Sequence, residues 1–137
     1  MTKYEHEFRP GDEIGGTATS YLDGKRLHYT YSQGREYLLT FDDGHVSFRM
    51  IKGPEGTVAA DPGSPPPVLL PYRARQLREG QYLVHWLVPG RVGHVSLVID
   101  LVNKSIDVSA LMPGQMEFFD AAQIHSVDPV VAAHREG

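Results

Sequence analysis

The stretch from Gly24 to Phe41 constrains the fold more than any other part of the chain. It reads Gly-Lys-Arg-Leu-His-Tyr-Thr-Tyr-Ser-Gln-Gly-Arg-Glu-Tyr-Leu-Leu-Thr-Phe. Two runs alternate in polarity on either side of a Ser-Gln-Gly turn. Successive side chains of a strand point to opposite faces. Leu27, Tyr29 and Tyr31 therefore share one face, and Arg26, His28 and Thr30 share the other. After the turn, Tyr37, Leu39 and Phe41 form a second same-face set. Gly34 supplies the positive φ that a tight hairpin turn needs. The pattern predicts a hairpin that gathers Tyr29, Tyr31 and Tyr37 on one surface. If that surface is the inside of a closed barrel, the buried phenols need hydrogen-bond partners, and a ligand can be one.

The rest of the chain repeats this design. Asp42-Asp43-Gly44 is a second hairpin turn of the Asp-Gly type. It leads into a strand at His45–Ile51, where His45, Ser47 and Arg49 alternate with Val46, Phe48 and Met50. Further strands are predicted at Tyr72–Leu77, Gln81–Leu87, His94–Asp100, Ser105–Leu111 and Gln115–Asp120. Turn residues separate them, among them Gly80, Pro89-Gly90 and Pro113-Gly114. Regularly spaced short strands of this kind indicate an all-β protein, an up-and-down barrel or a sandwich. The expected fold is an eight-stranded antiparallel barrel, whose interior admits side chains or one small ligand. Any helix should be short and peripheral. Thr17–Leu22 is a short strand or a lead-in. Between Gly53 and Pro71 lie six of the ten prolines, which forbid a central strand there. That stretch is either a lid or binding loop, or a surface loop stiffened by polyproline II. The organisation expected is a polar arm at 1–16, one barrel domain at 17–128 and a flexible tail at 129–137.

Composition narrows the function classes. A chain of 137 residues makes one domain with a real core. No stretch approaches the ~20 apolar residues of a membrane helix. The net charge is −4, with lysine and arginine scattered, which argues against nucleic acid as a partner. The absence of cysteine excludes disulfides and thiol catalysis. The first residues, with Glu5, Glu7, Asp12 and Glu13, show no basic-then-apolar signal pattern. Together these features point to the cytoplasm.

Several side chains could carry chemistry. Tyr29, Tyr31 and Tyr37 can hold a carboxylate or phenolate by paired O–H donors, or simply fill a strand face. Arg49 follows in the next strand. Inside a barrel its charge is costly unless paired, and an organic acid would pair it. Phe48 and Arg49 cannot both point inward, so Arg49 either enters the barrel or faces solvent. Trp86, the only tryptophan, is a core anchor or one wall of a pocket. His85 has the opposite parity to Trp86, which places it outside, and His94 is also read as a surface residue. Glu117, between Met116 and Phe118, is the one carboxylate with a route into the barrel, while Asp100 should cap a turn. The seven histidines show no metal-ligand spacing, so no metal is expected.

The hairpin Gly24-Lys25-x-Leu27-x-Tyr29-Thr30-Tyr31-x-x-Gly34-x-x-Tyr37 resembles the opening hairpin of the phenolic acid decarboxylases. The resemblance continues through Arg49, Trp86-x-x-Pro89 and Val95-Ser96-Leu97. The Tyr-Leu-Val-His-Trp and Pro-Gly-Gln-Met-Glu-Phe-Phe runs are similar to the calycin-like barrel of the molybdenum-cofactor-biosynthesis protein F (MoaF) family. Both resemblances imply a lipocalin-like antiparallel barrel. The decarboxylases imply a cofactor-independent site and a homodimer. They also imply Tyr29 and Tyr31 as ligands of the polar group, Tyr37 in the pocket and Arg49 as charge partner. Their catalytic glutamate would fall at Val88, two positions after Trp86, and Arg35 stands where they tend to have an aromatic residue.

Two functions fit this reading. One is a lyase- or isomerase-type enzyme without cofactor. There Tyr29, Tyr31 and Arg49 would stabilise negative charge, and Tyr37, Trp86, Val88 and Glu117 would line the site for a small organic acid or phenol. The other is a non-catalytic, lipocalin-like binding protein of the MoaF-like family. A purely structural or subunit-interface role is a third.

Overall fold

The computed structural model describes residues 10–53 and 68–130. Eight strands follow in chain order: β1 Lys25–Tyr31, β2 Glu36–Asp42, β3 His45–Lys52, β4 Leu70–Arg78, β5 Gln81–Leu87, β6 His94–Asp100, β7 Ser105–Met112 and β8 Met116–Pro129. Each pairs antiparallel with the next, and β8 pairs with β1, so the sheet closes into an up-and-down barrel. Among the described residues the one helical element is a single 3₁₀ turn, Pro89–Arg91, between β5 and β6. No helix there is long and apolar enough to cross a membrane. Most of the proline-rich stretch, residues 54–67, lies outside the described residues, as do 1–9 and 131–137.

The turns follow from their residues. Asp43 and Gly44 both adopt positive φ, 52° and 72°, which is the backbone that a two-residue hairpin loop demands. Strand alternation then fixes which side chains enter the barrel. In β1 the inward residues Leu27 and Tyr29 are buried, and in β5 Tyr82, Val84 and Trp86 are buried while Gln81, Leu83 and His85 are less so.

The connections define two ends. The β2–β3, β4–β5 and β6–β7 turns lie at the lower end, and the β1–β2, β5–β6 and β7–β8 connections at the upper end. The lower half is filled with aliphatic and aromatic carbon. Leu22, Leu27, Leu39, Phe41, Val46, Ile99 and Ile106 have no exposed surface. Leu22 comes from the lead-in, which is not a strand. A bond from Thr19 N–H to Ala74 O at 2.9 Å fastens it to β4. Asp23 completes this end. It accepts from Gly44 N–H at 3.1 Å and from the Tyr72 hydroxyl at 2.6 Å, and the Tyr72 ring meets Phe41 at 4.9 Å.

Two features depart from the alternation. The last strand does not end at Asp120. It continues to Pro129, and its second half pairs with β1, which is what closes the barrel. A bulge between His28 and Tyr29 makes this possible: His28 faces Ser126, but Tyr29 faces Ile124. The other is the β3–β4 seam, where only His45↔Pro71 and Val46↔Leu70 are paired. Pro71 sits at the start of β4, a position where its missing N–H is tolerated.

Candidate functional site: an aromatic cavity at the upper end

Above the packed half, the interior opens into a cavity. Tyr29, Tyr31, Tyr37, Phe48, Trp86 and Phe118 form its aromatic walls, and Val95, Leu97, Val108, Ala110 and Met112 form the remainder. Cross-strand register explains the set. Tyr29 faces Tyr37 across β1–β2, Trp86 faces Val95 across β5–β6, and Ala110 faces Phe118 across β7–β8. Large rings from one half of the barrel thus lie opposite small residues from the other. The gap between them is narrow, about 50 Å³ within its walls and about 440 Å³ when the open mouth is counted.

The three tyrosines converge. Tyr29 and Tyr31 meet edge to face at 5.4 Å, Tyr31 and Tyr37 edge to face at 5.7 Å, and Tyr29 and Tyr37 at 5.9 Å. Phe48 continues the chain, 6.4 Å from Tyr37 and 6.0 Å from Trp86. Each such ring pair adds about 0.5–1.5 kcal/mol beyond its area burial. The cluster therefore holds its own geometry without a ligand.

Burial pushes the Tyr29 phenol well above its ordinary range, and its neighbour Tyr31, charged or hydrogen-bonded, adds to the shift. Tyr31 is also pushed up, first by burial; a hydrogen bond with Tyr29 partly opposes this, while Tyr37 and Asp120 add to it. Both phenols are thus neutral across the physiological range and act as hydrogen-bond donors, not bases. Asp120 stands beside the rim. Burial pushes its carboxyl up, but bonds from the Ser32 hydroxyl and from the amides of Ala121, Gln33 and Ser32 outweigh this and hold it below the usual range.

The structure brings Tyr29, Tyr31, Tyr37 and Trp86 together and leaves three other candidates off the wall. Arg49 is exposed on the outer face of β3, and Phe48 takes the inward position beside it. The desolvation cost of a guanidinium decides between the two parities. Glu117 is likewise exposed, and its neighbour Phe118 points in. Val88 does not line the cavity. β5 ends at Leu87, and Val88 turns away as the residue preceding the 3₁₀ turn, its N–H donating to Gly93 O at 3.0 Å. The chain crosses β7 closely there. A Cβ on Gly93 would lie 2.1 Å from the carbonyl oxygen of Leu111. His85 and His94 lie outside the barrel with rings 6.0 Å apart, lining a shallow outer groove with Ser96 and Leu111. Asp100 caps the β6–β7 turn through the amides of Val102 and Asn103, at 3.0 and 2.9 Å. Among the described residues no group of three or more histidines and carboxylates is placed to hold a metal ion.

Reading the sequence left Phe48 only as the alternative to Arg49, and it missed Phe118 and the small-residue wall. The signal for the wall was present in the alternation of Val95, Leu97 and Val108, Ala110. It is indistinguishable from ordinary core until the aromatic strands are known to lie opposite.

No protein-family model matches the chain, and no curated protein matches it in sequence. Solved structures do match in shape. One is the crystal structure of a "putative beta-lactamase from Burkholderia vietnamiensis", with a TM-score of 0.61 at 14% identity, over 80% of this chain and 95% of that one. At that identity the likeness is one of fold: both chains form the same kind of closed antiparallel barrel.

Proposed function

We propose that the protein is a non-catalytic, lipocalin-like binder of a small, largely apolar molecule that carries a hydrogen-bond acceptor. The observation that carries this reading is the composition of the cavity wall. Among the described residues its polar groups are three phenol hydroxyls and the Trp86 indole, and every other lining residue is apolar. A wall of this kind gives apolar contact with a few convergent donors, which is the usual make-up of a small-molecule site. Arg49, which would stabilise negative charge in a catalytic reading, and Glu117, which could supply a proton, both lie on the outer face. The β-lactamase name belongs to the structural neighbour, and this chain has no Ser-x-x-Lys to go with it.

A cofactor-independent lyase or isomerase is the second reading. The convergence of Tyr29, Tyr31 and Tyr37 favours it, because clustered neutral donors can stabilise an oxyanion such as an enolate. Between the two, the described residues of the wall include no carboxylate, histidine or lysine to act as general acid or base, which supports binding without turnover.

Titration calorimetry with acetophenone, a neutral aryl ketone with one carbonyl acceptor, tests the binding reading. Binding should be measurable in the millimolar range or tighter. Tyr37→Phe should weaken it several-fold, the size of one hydrogen bond of about 1 kcal/mol. The single tryptophan lies in the wall, so its fluorescence should change with the same midpoint. Heat and fluorescence that both stay flat to the solubility limit would remove the proposal.

A further inference from the structure

One cation beside the cavity is assigned by neither the decarboxylase hairpin nor the MoaF-like barrel. Arg35 ends the β1–β2 turn and has the same parity as Tyr37 and Leu39, so it extends their inward row by one step to the rim. The turn is pinned from two sides. Tyr31 N–H donates to Arg35 O at 2.8 Å, and Ser32 N–H donates to Ala121 O on β8 at 2.9 Å. This anchoring sets the Arg35 guanidinium over the ring of Phe118, 5.0 Å from its centroid. Phe118 is itself a wall of the cavity.

The neighbouring charges at this end are already engaged. Lys52 lies 3.8 Å from Glu36, Arg91 lies 2.7 Å from Asp12, and the Asp120 carboxylate is occupied by Ser32 and backbone amides. Arg35 is half-buried, and among the described residues its guanidinium meets the Phe118 ring and no carboxylate. A ring face attracts a cation but does not satisfy its N–H donors as a carboxylate does. A guanidinium so placed is a ready partner for a planar anion.

We infer that Arg35 is the specificity-determining cation of this site: it selects a ligand with an apolar body and an anionic head, taken body first, with the head held at the mouth. The inference rests on the cavity being a binding site, as proposed above. It moves the charge-pairing role from Arg49 to Arg35, and it places the head away from Tyr29, at the opposite end of the ligand from an acceptor held by the inner phenols. The narrow gap favours a slim body over a broad one.

A matched pair of probes tests this. Sodium 3-phenylpropanoate and 3-phenylpropanamide have the same shape and differ in charge. Each is titrated calorimetrically into the full chain at low ionic strength. The wild type should bind the acid more tightly than the amide. Arg35→Gln should weaken the acid about tenfold and the amide by less than about twofold, as loss of one charge-assisted contact does. Arg35→Lys should keep part of the preference, and Arg49→Gln should leave both affinities unchanged. Each variant is compared at its own confirmed cooperative unfolding transition. If Arg35→Gln weakens both probes alike or neither, or if Arg49→Gln abolishes the preference, Arg35 is not the selector, while continued amide binding leaves the cavity reading in place. If the wild type binds neither probe nor acetophenone, the cavity reading fails and this inference with it.

Discussion

The two halves of the barrel are built from the same strands by the same alternation, yet they differ in what they enclose. The lower half is closed by Leu22 and Phe41 and by the Asp23 bonds to Gly44 and Tyr72, and Leu22, Leu27, Leu39 and Phe41 there have no exposed surface. The upper half turns the next inward residues of β1 and β2 into tyrosines and sets them against valine and alanine from β6 and β7. Below, carbon packs on carbon and the volume is used up. Above, rigid rings meet small residues and cannot fill the space. The difference teaches that stability and recognition have been placed in separate layers of one cylinder. The strongest stabilising contacts are those least concerned with a ligand.

That contrast can be broken by mutation, and the largest effect belongs to the lower half. Phe41→Ala removes a fully buried ring and its contact with Tyr72. We expect a loss of about 3–5 kcal/mol, transfer and cavity terms together, read as a shift of the urea midpoint. Phe48→Ala, in the upper wall, removes an aromatic ring of the same size from a half-buried site beside existing empty space. Its cost should be smaller by at least about 1 kcal/mol, and it should enlarge the site for bulkier probes. Equal costs at the two positions would show that the halves are not distinct layers.

Alkaline titration separates the halves by the cause of their shifted phenols. Tyr72 and Tyr82 below, and Tyr29 and Tyr31 above, all have phenols held above the ordinary value. Burial is the leading cause for all four, and at Tyr72 the hydrogen bond and charge of Asp23 add to it. A raised value means the folded protein holds each proton more tightly than the unfolded chain. Their contribution is fully present below the unfolded value near 10 and declines as pH rises toward the folded values. Stability should therefore fall steeply above about pH 10, with absorbance at 295 nm rising in step with unfolding. Asp23→Asn should cost about 1–2 kcal/mol at neutral pH. It should also bring the Tyr72 titration down while leaving Tyr29 and Tyr31 where they are. A uniform shift of all four would show that Asp23 acts on the whole fold and not on the lower end alone.

Much of this division was legible in the sequence. The parity of Leu27, Tyr29 and Tyr31 with Tyr37, Leu39 and Phe41 put the phenols and the hydrocarbon on one face of the same two strands, though not in separate layers. β3 was not decidable in this way. Both of its residue sets contain a plausible interior, and only the cost of burying Arg49 against the gain of burying Phe48 selects between them. β8 was cut short for a different reason. Ile124 and Val127 both pack on the core but are three apart, which breaks a period of two. The bulge opposite Tyr29 reconciles them, and it is a property of the β1–β8 pair that neither strand's own sequence shows. Leu22 was missed because a residue outside the strands carries no alternation to read. Val88 was placed by extending the parity of Trp86 past the point where the strand stops, at the turn set by Pro89 and Gly90.

A finer test lies within the upper layer. Tyr29→Phe removes a hydroxyl that is hydrogen-bonded to Tyr31 and leaves the ring in place. The cost should be about 1 kcal/mol of stability, measured by denaturant unfolding. Acetophenone affinity should fall at the same time if the inner phenols hold the acceptor. A stability loss with unchanged affinity would assign Tyr29 to the scaffold and leave recognition to Tyr31 and Tyr37.

The smallest expected effect concerns Val88, and it bears on whether the upper half does chemistry at all. Decarboxylation of a para-hydroxycinnamate needs a proton delivered to the carbon beside the departing carboxylate, and general acid catalysis of that kind contributes about 10²–10⁴-fold. Among the described residues the cavity wall offers no carboxylic acid, and its Tyr29 and Tyr31 phenols are made poorer acids by burial. Wild-type protein incubated with p-coumarate should yield no 4-vinylphenol above the uncatalysed background. Restoring a glutamate at the decarboxylase position should not rescue it. Val88 is half-buried at the end of β5, its backbone committed to Gly93 and Arg91, and its side chain is not among the cavity walls. Val88→Glu should therefore change stability by less than about 1 kcal/mol, because the new carboxylate can reach water and avoids the cost of an unpaired buried charge. It should leave the 4-vinylphenol yield at background and the acetophenone affinity within about twofold. Turnover by the wild type would mean that a phenol of the wall, or a residue outside the described segments, supplies the proton. Turnover only after Val88→Glu would mean that the β5–β6 connection moves to bring position 88 over the mouth. That would make the upper layer a site whose scaffold is intact and whose acid alone is missing.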